Sequence, residues 1–60
     1  MRKCKYLNRY NLQLFEGIFH QWGTNMKEFE SGGVNYTVGI IENPDGSIAT
    51  PLASDIVFLD

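Results

Sequence analysis

Apolar and polar residues alternate most clearly in the second half of the chain. Tyr36, Val38 and Ile40 fall on one side of an extended segment and Thr37, Gly39 and Ile41 on the other, the period of two that marks a strand. Asn43-Pro44-Asp45-Gly46 follows. Proline presets φ at the second turn position and glycine supplies the left-handed residue of a type I turn with a G1 bulge. Ser47-Ile48-Ala49-Thr50 resumes the β-branched pattern, so the two segments are predicted to form a hairpin. Pro51 cannot donate to a ladder and ends or edges that second strand. Ala53-Ser54-Asp55 fits one tight turn of 3₁₀ type, and Ile56-Val57-Phe58-Leu59 reads as a short closing strand capped by Asp60.

The segment from Leu12 to Trp22 also reads as extended, with Gly17 as the expected site of a bulge or bend. Leu14, Phe15, Ile18 and Phe19 recur at helical spacing too, but a mid-segment glycine and terminal aromatics favour the strand. Gly23 to Asn35 is polar and is expected to be a long loop, either with a short helix from Thr24 to Phe29 or pinned by the Phe29 side chain. Residues 1–11 are left as an arm or an edge strand, and 12–60 as the body of a single domain. Strand, long loop, strand, tight hairpin, strand, short turn and strand predict an all-β fold. For a chain of 60 residues the compact solution is a small, strongly bent, SH3-like antiparallel barrel of about five strands.

Composition narrows the class. The chain is 43% hydrophobic and 20% charged, ordinary for a folded domain and too apolar for a disordered one. No run approaches the roughly 18 apolar residues of a spanning helix. The basic start lacks the apolar stretch of a signal peptide, and one unpaired cysteine fits a reducing compartment, so the expectation is a cytoplasmic protein away from membranes. The net charge of −2 hides a split: residues 1–27 carry five basic groups and one acid, +4, whereas 28–60 carry six acids and no Lys or Arg, −6. Antiparallel pairing of the halves would partly neutralise both; a bipolar surface that orients a partner or a second copy is the other reading.

Gly17-Ile18-Phe19-His20-Gln21-Trp22-Gly23, the Tyr36–Glu42 segment with its Asp45-Gly46 turn, and the closing Ser54–Asp60 stretch together resemble small SH3-like barrel proteins encoded by phages and prophages of Gram-positive bacteria. The resemblance spans residues 17–60, with the Phe-His-x-Trp-Gly run as its most specific part. It implies a fold and a phage setting with no settled activity, and so carries over no functional residues.

Candidate chemistry is sparse. One histidine and one cysteine, His20 and Cys4, give no expected nucleophile–base pair and no zinc ligand set. Glu28 and Glu30 read as solvated acids, and Ser31-Gly32-Gly33 lacks the lysine and helix of a phosphate loop. No catalytic residue, metal or cofactor is assigned. His20 and Trp22, two apart and therefore on one side of a regular strand, are the first candidates for a protein-binding patch, joined by Phe29 and Tyr36. The expected function is non-enzymatic binding of a host or phage protein, with self-association also open. The alternative is nucleic-acid binding through Arg2, Lys3, Lys5, Tyr6 and Arg9, where cations interleave with aromatics. A chain pI near 5.1 and the acids after Lys27 argue against that alternative.

Overall fold

The computed structural model describes residues 2–59, the side chain of Phe29 excepted. Met1 and Asp60, the expected cap of the last strand, lie outside the described residues. Five antiparallel strands form one sheet: β1 (Arg2–Asn8), β2 (Gln13–Phe29), β3 (Gly32–Glu42), β4 (Ile48–Ala49) and β5 (Ile56–Phe58). Their spatial order is β4-β3-β2-β1-β5. Ala53–Asp55 forms the expected 3₁₀ turn between β4 and β5. The fold is thus all-β, as the alternation predicted.

The Asn43–Gly46 hairpin has the anticipated geometry. The Gly46 N–H donates to the Asn43 carbonyl at 2.9 Å, the Asn43 N–H donates to the Ser47 carbonyl at 2.8 Å, and Gly46 sits at φ +88°. The turn is cross-braced, since the Ser47 N–H and hydroxyl both donate to Asp45 Oδ1, at 2.9 and 2.6 Å. These bonds hold the Asp45 carboxyl below its usual range. Proline does limit the second strand. β4 is two residues long, and only the Val38–Leu52 bridge, in the register of Ile41–Ala49, continues it past Pro51.

Three expectations are corrected. The long polar loop with its possible helical turn is instead strand: Gly23–Phe29 pairs with Gly32–Val38, joined through Glu30 and Ser31. Thr24 to Glu28 and Gly33 to Asn35 are exposed on both faces, so ladder hydrogen bonds rather than burial hold them extended, and no apolar alternation advertises them. This projecting ribbon gives extents of 39 × 24 × 20 Å and a radius of gyration of 12.3 Å, against about 10 Å for a compact chain of this length. Secondly, residues 2–8 are neither arm nor edge: β1 lies between β2 and β5. Its hairpin to β2 is nucleated by asparagines, Asn8 Oδ1 accepting from the Tyr10 N–H and Asn11 Oδ1 from the Gln13 N–H. Thirdly, the sheet is not closed, because no ladder joins β4 to β5.

The core is small. Cys4, Tyr6, Val38 and Ile41 are buried, with Phe19, Ala49, Ile56 and Phe58 half-buried around the Cys4–Tyr6–Ile41 cluster. The accessible surface of 4571 Å² exceeds the roughly 4,000 Å² expected for this mass. Gly17 does not bulge. It pairs with Cys4, and a Cβ there would lie 2.5 Å from Ile41 Cγ2 and 2.8 Å from the Glu42 carbonyl oxygen. The bulge falls three residues later, where Phe19 opposes Ile41, Gln21 opposes Ile40, and His20 is the extra residue.

Two substitutions test this account. Gly17→Ala forces a side chain against backbone and is expected to cost about 1–3 kcal/mol, read as a fall in Tm of at least about 4 °C. Leu12 is exposed and held at φ +56°, which costs an L-residue roughly 1–2 kcal/mol. Leu12→Gly should therefore gain roughly 0.5–1 kcal/mol of stability net of glycine's chain entropy, read as a higher urea midpoint at unchanged m-value.

Candidate functional site

The bulge decides where the first two candidates point. Ile18 pairs with Glu42, and His20 Nε2 meets Glu42 Oε1 at 2.9 Å, which puts the imidazole on the Ile18 side of β2. Trp22 has moved to the other side. Its ring packs edge-on against Phe19 with centroids 4.8 Å apart, and against Phe58 at 6.1 Å. The two residues do not form one patch, because an extra residue between Phe19 and Gln21 inverts the alternation. Trp22 is 49% exposed and roofs the Phe19–Phe58 pair, itself a perpendicular contact at 5.1 Å. Phe29 ends β2 opposite Gly32; its side chain lies outside the described residues.

Tyr36, the fourth candidate, has different neighbours. The β1–β2 connection, the second half of the β2–β3 ribbon and the Thr50–Asp55 segment enclose a groove of about 720 Å³. Tyr6, Tyr10, Tyr36, Lys27 and Pro51 line it, and Arg9 with Asp55 form one wall. Tyr6 is buried and its hydroxyl donates to Asn43 Oδ1, tying the groove to the hairpin turn. Burial pushes the Tyr6 phenol above its ordinary range, and the Asn43 bond partly opposes this. Tyr10 stands fully exposed at the rim. The groove unites one residue of the protein-binding set, Tyr36, with Tyr6 and Arg9 of the nucleic-acid set. Tyr10, Lys27, Pro51 and Asp55 join them from three segments, and no spacing in the chain could have brought them together.

The Arg9–Asp55 contact is the best-formed ion pair of the groove. Arg9 Nε donates to Asp55 Oδ2 and Arg9 Nη2 to Asp55 Oδ1, both at 2.8 Å, with the carboxylate 7% exposed and the guanidinium 63%. The bond from Arg9 holds the Asp55 carboxyl below its usual range. The pair staples the β1–β2 connection to the 3₁₀ turn and closes one side of the groove.

The basic set is dispersed by the strand it occupies. The Arg2 guanidinium lies 3.7 Å above the Phe58 ring, Lys5 Nζ is 3.9 Å from Glu16 Oε1, and Arg9 is held by Asp55. Lys3 lines a separate hollow of about 420 Å³ beside Glu16, Glu42 and Pro44. Cys4 is fully buried, its thiol 3.6 Å from the Gly17 carbonyl, and burial pushes its pKa up, which lowers the thiolate fraction. Among the described residues no three His, Cys, Asp or Glu side chains gather as a metal site, and no helix is long and apolar enough to cross a membrane.

No protein-family model matches the chain, and neither a curated protein nor a solved structure matches it. The functional reading therefore rests on the groove and its residues.

The Asp55 contact carries a pH signature. A carboxyl whose folded pKa lies below its unfolded value, near 3.9, stabilises the fold fully above that value and loses this contribution as pH falls through the folded pKa. Asp55→Asn should be less stable than wild type at pH 7 and lose less stability between about pH 4 and pH 2. Denaturant melts at both ends of that range check it; parallel losses in the two proteins would show that the pair contributes nothing.

Proposed function

We propose that this chain is a small, non-enzymatic binding module of the SH3-like kind, acting in the cytoplasm of a host cell as a phage or prophage accessory protein, and that it holds a segment of another protein in its tyrosine-lined groove. The strand order β4-β3-β2-β1-β5, the 3₁₀ turn between the last two strands and the Trp22–Phe58 contact across the bend support the SH3-like reading. The phage setting rests on the Phe-His-x-Trp-Gly resemblance.

The observation that carries the binding reading is the convergence of Tyr6, Tyr10 and Tyr36 with Pro51 in one groove. Tyrosines offer broad, rigid contact area at low entropic cost and a hydroxyl for directional bonds, which is why they dominate protein-binding surfaces. Here Tyr6 is fixed in the core and Arg9 is fixed by Asp55, so much of the groove is ordered before a partner arrives. Nucleic-acid binding is the weaker alternative. Arg2, Lys5 and Arg9 each already face an aromatic ring or a carboxylate, so a phosphate would have to compete for them.

Affinity capture by the tagged chain from nuclease-treated lysate of a Gram-positive host tests the proposal, with Tyr36→Ala, Tyr10→Ala and Trp22→Ala compared after circular dichroism confirms folding. The expected outcome is a protein partner retained at high salt and weakened about tenfold by Tyr36→Ala. Capture only without nuclease, lost steeply with salt, would transfer the function to nucleic acid. Loss confined to Trp22→Ala would move the site to the indole surface.

A further inference from the structure

The free edge of β5 points to a second copy of this chain. Among the described residues β5 pairs with β1 alone, through Cys4–Phe58, Lys5–Val57 and Tyr6–Ile56. The Leu59 N–H donates to the Lys3 carbonyl at 2.9 Å. In an antiparallel ladder bonded pairs alternate with unbonded ones, so Val57 also turns its backbone to β1, and Ile56 and Phe58 turn theirs outward. One of these outward groups is already used: the Ile56 N–H donates to the Ala53 carbonyl at the end of the 3₁₀ turn. Of the three outward groups that remain, the Ile56 carbonyl and the Phe58 N–H flank Val57 directly, one acceptor and one donor, with the Phe58 carbonyl beyond them.

That pair is self-complementary. We propose that two copies join edge to edge along β5, antiparallel about a two-fold axis at Val57, with each Phe58 N–H donating to the other copy's Ile56 carbonyl. The two five-stranded sheets then run on as one. The two bonds that flank Val57 need no Ile56 N–H; the second bond of each Ile56–Phe58 pair is forgone, because that N–H is already given to Ala53. Val57 faces its own copy as an unbonded pair, where side chains stand closest.

Side chains and charge favour the same occupant. Val57 is 63% exposed and Leu59 45%, and the half-exposed Trp22 lies against the Phe58 ring. Ile56 to Leu59 carries no charge, proline or bulge, the devices by which edge strands are usually guarded. Self-pairing therefore sets no like charges directly opposite each other on the two strands. The other edge is guarded, since β4 has two residues and runs into Pro51. Three paired residues bury less than the roughly 1,200 Å² of a standard stable interface, so the dimer is weak, with Kd on the order of 10–100 µM.

Sedimentation and directed cross-linking test this independently of the groove. Wild type should pass from monomer to dimer between about 1 µM and about 1 mM, and Val57→Lys, an exposed change, should stay monomeric throughout. In a thiol–disulfide buffer Val57→Cys should cross-link rapidly into dimers, because unbonded pairs bring Cβ atoms to about 4.5–5.5 Å. Leu59→Cys, also exposed but offset from the axis by two residues in each copy, should not. A wild type that stays monomeric at about 1 mM, or equal cross-linking of the two cysteine variants, would overturn the proposal. So would a dimer that Val57→Lys leaves intact.

Discussion

Ile41 can be fully buried only because position 17 carries no side chain. The Ile41 methyl occupies the space that a Cβ on Gly17 would need, directly across the ladder from Cys4. This close approach lets β1, β2 and β3 share one small core instead of packing as three separate ribbons. Other contacts of the fold follow from it. With Ile41 seated, Phe19 lies beside it, Phe58 meets Phe19 edge-on, and Trp22 closes over both. Gly39 repeats the device on the same side of β3, where a Cβ would meet Ile56 Cδ1 at 2.4 Å. With four buried apolar side chains among the described residues, such economies matter more than they would in a larger domain.

What could be read from the chain follows from which faces are buried. The Tyr36–Glu42 strand, the Asn43–Gly46 turn, the limit at Pro51 and the 3₁₀ turn at 53–55 were legible, because burial or turn chemistry leaves a mark at short range. The Gly23–Asn35 segment was not legible as strand, since Thr24 to Glu28 and Gly33 to Asn35 are wet on both sides and need no apolar period. β1 was obscured by its basic and polar residues, Arg2, Lys3, Lys5 and Asn8, set among only three apolar ones, and by a turn that relies on asparagines rather than on an Asn-Gly pair. The bulge at His20 was the costliest omission. One extra residue exchanged the faces of everything after it and separated two side chains that a regular strand would have held together. The groove was half legible: Tyr6, Arg9 and Tyr36 were singled out for their chemistry, but assigned to two different surfaces.

The charge split is explained in part by the topology. Arg9 and Asp55 lie 46 residues apart and form the bidentate contact that joins the basic half to the acidic half. His20, the bulge residue itself, reaches Glu42 and spans the halves a second time. Lys5 and Glu16 pair within the first half, so the segregation is not used up by a single row of cross-chain pairs.

The wet ribbon has its own consequence for how this fold can vary. From Thr24 to Asn35 hydrogen bonds between two strands do almost all the holding, and nothing in the core depends on the ribbon's length. Opening such a ribbon should start at Glu30 and Ser31 and run inward like a zip, stopping where Val38 and Gly39 become buried. Sequence drift here should obey parity. Adding or removing two residues in each strand restores every side chain to its side, whereas one in each turns Lys27 and Tyr36 away from the groove. The reach of the ribbon is therefore adjustable in steps, while the five-stranded body that carries it stays fixed.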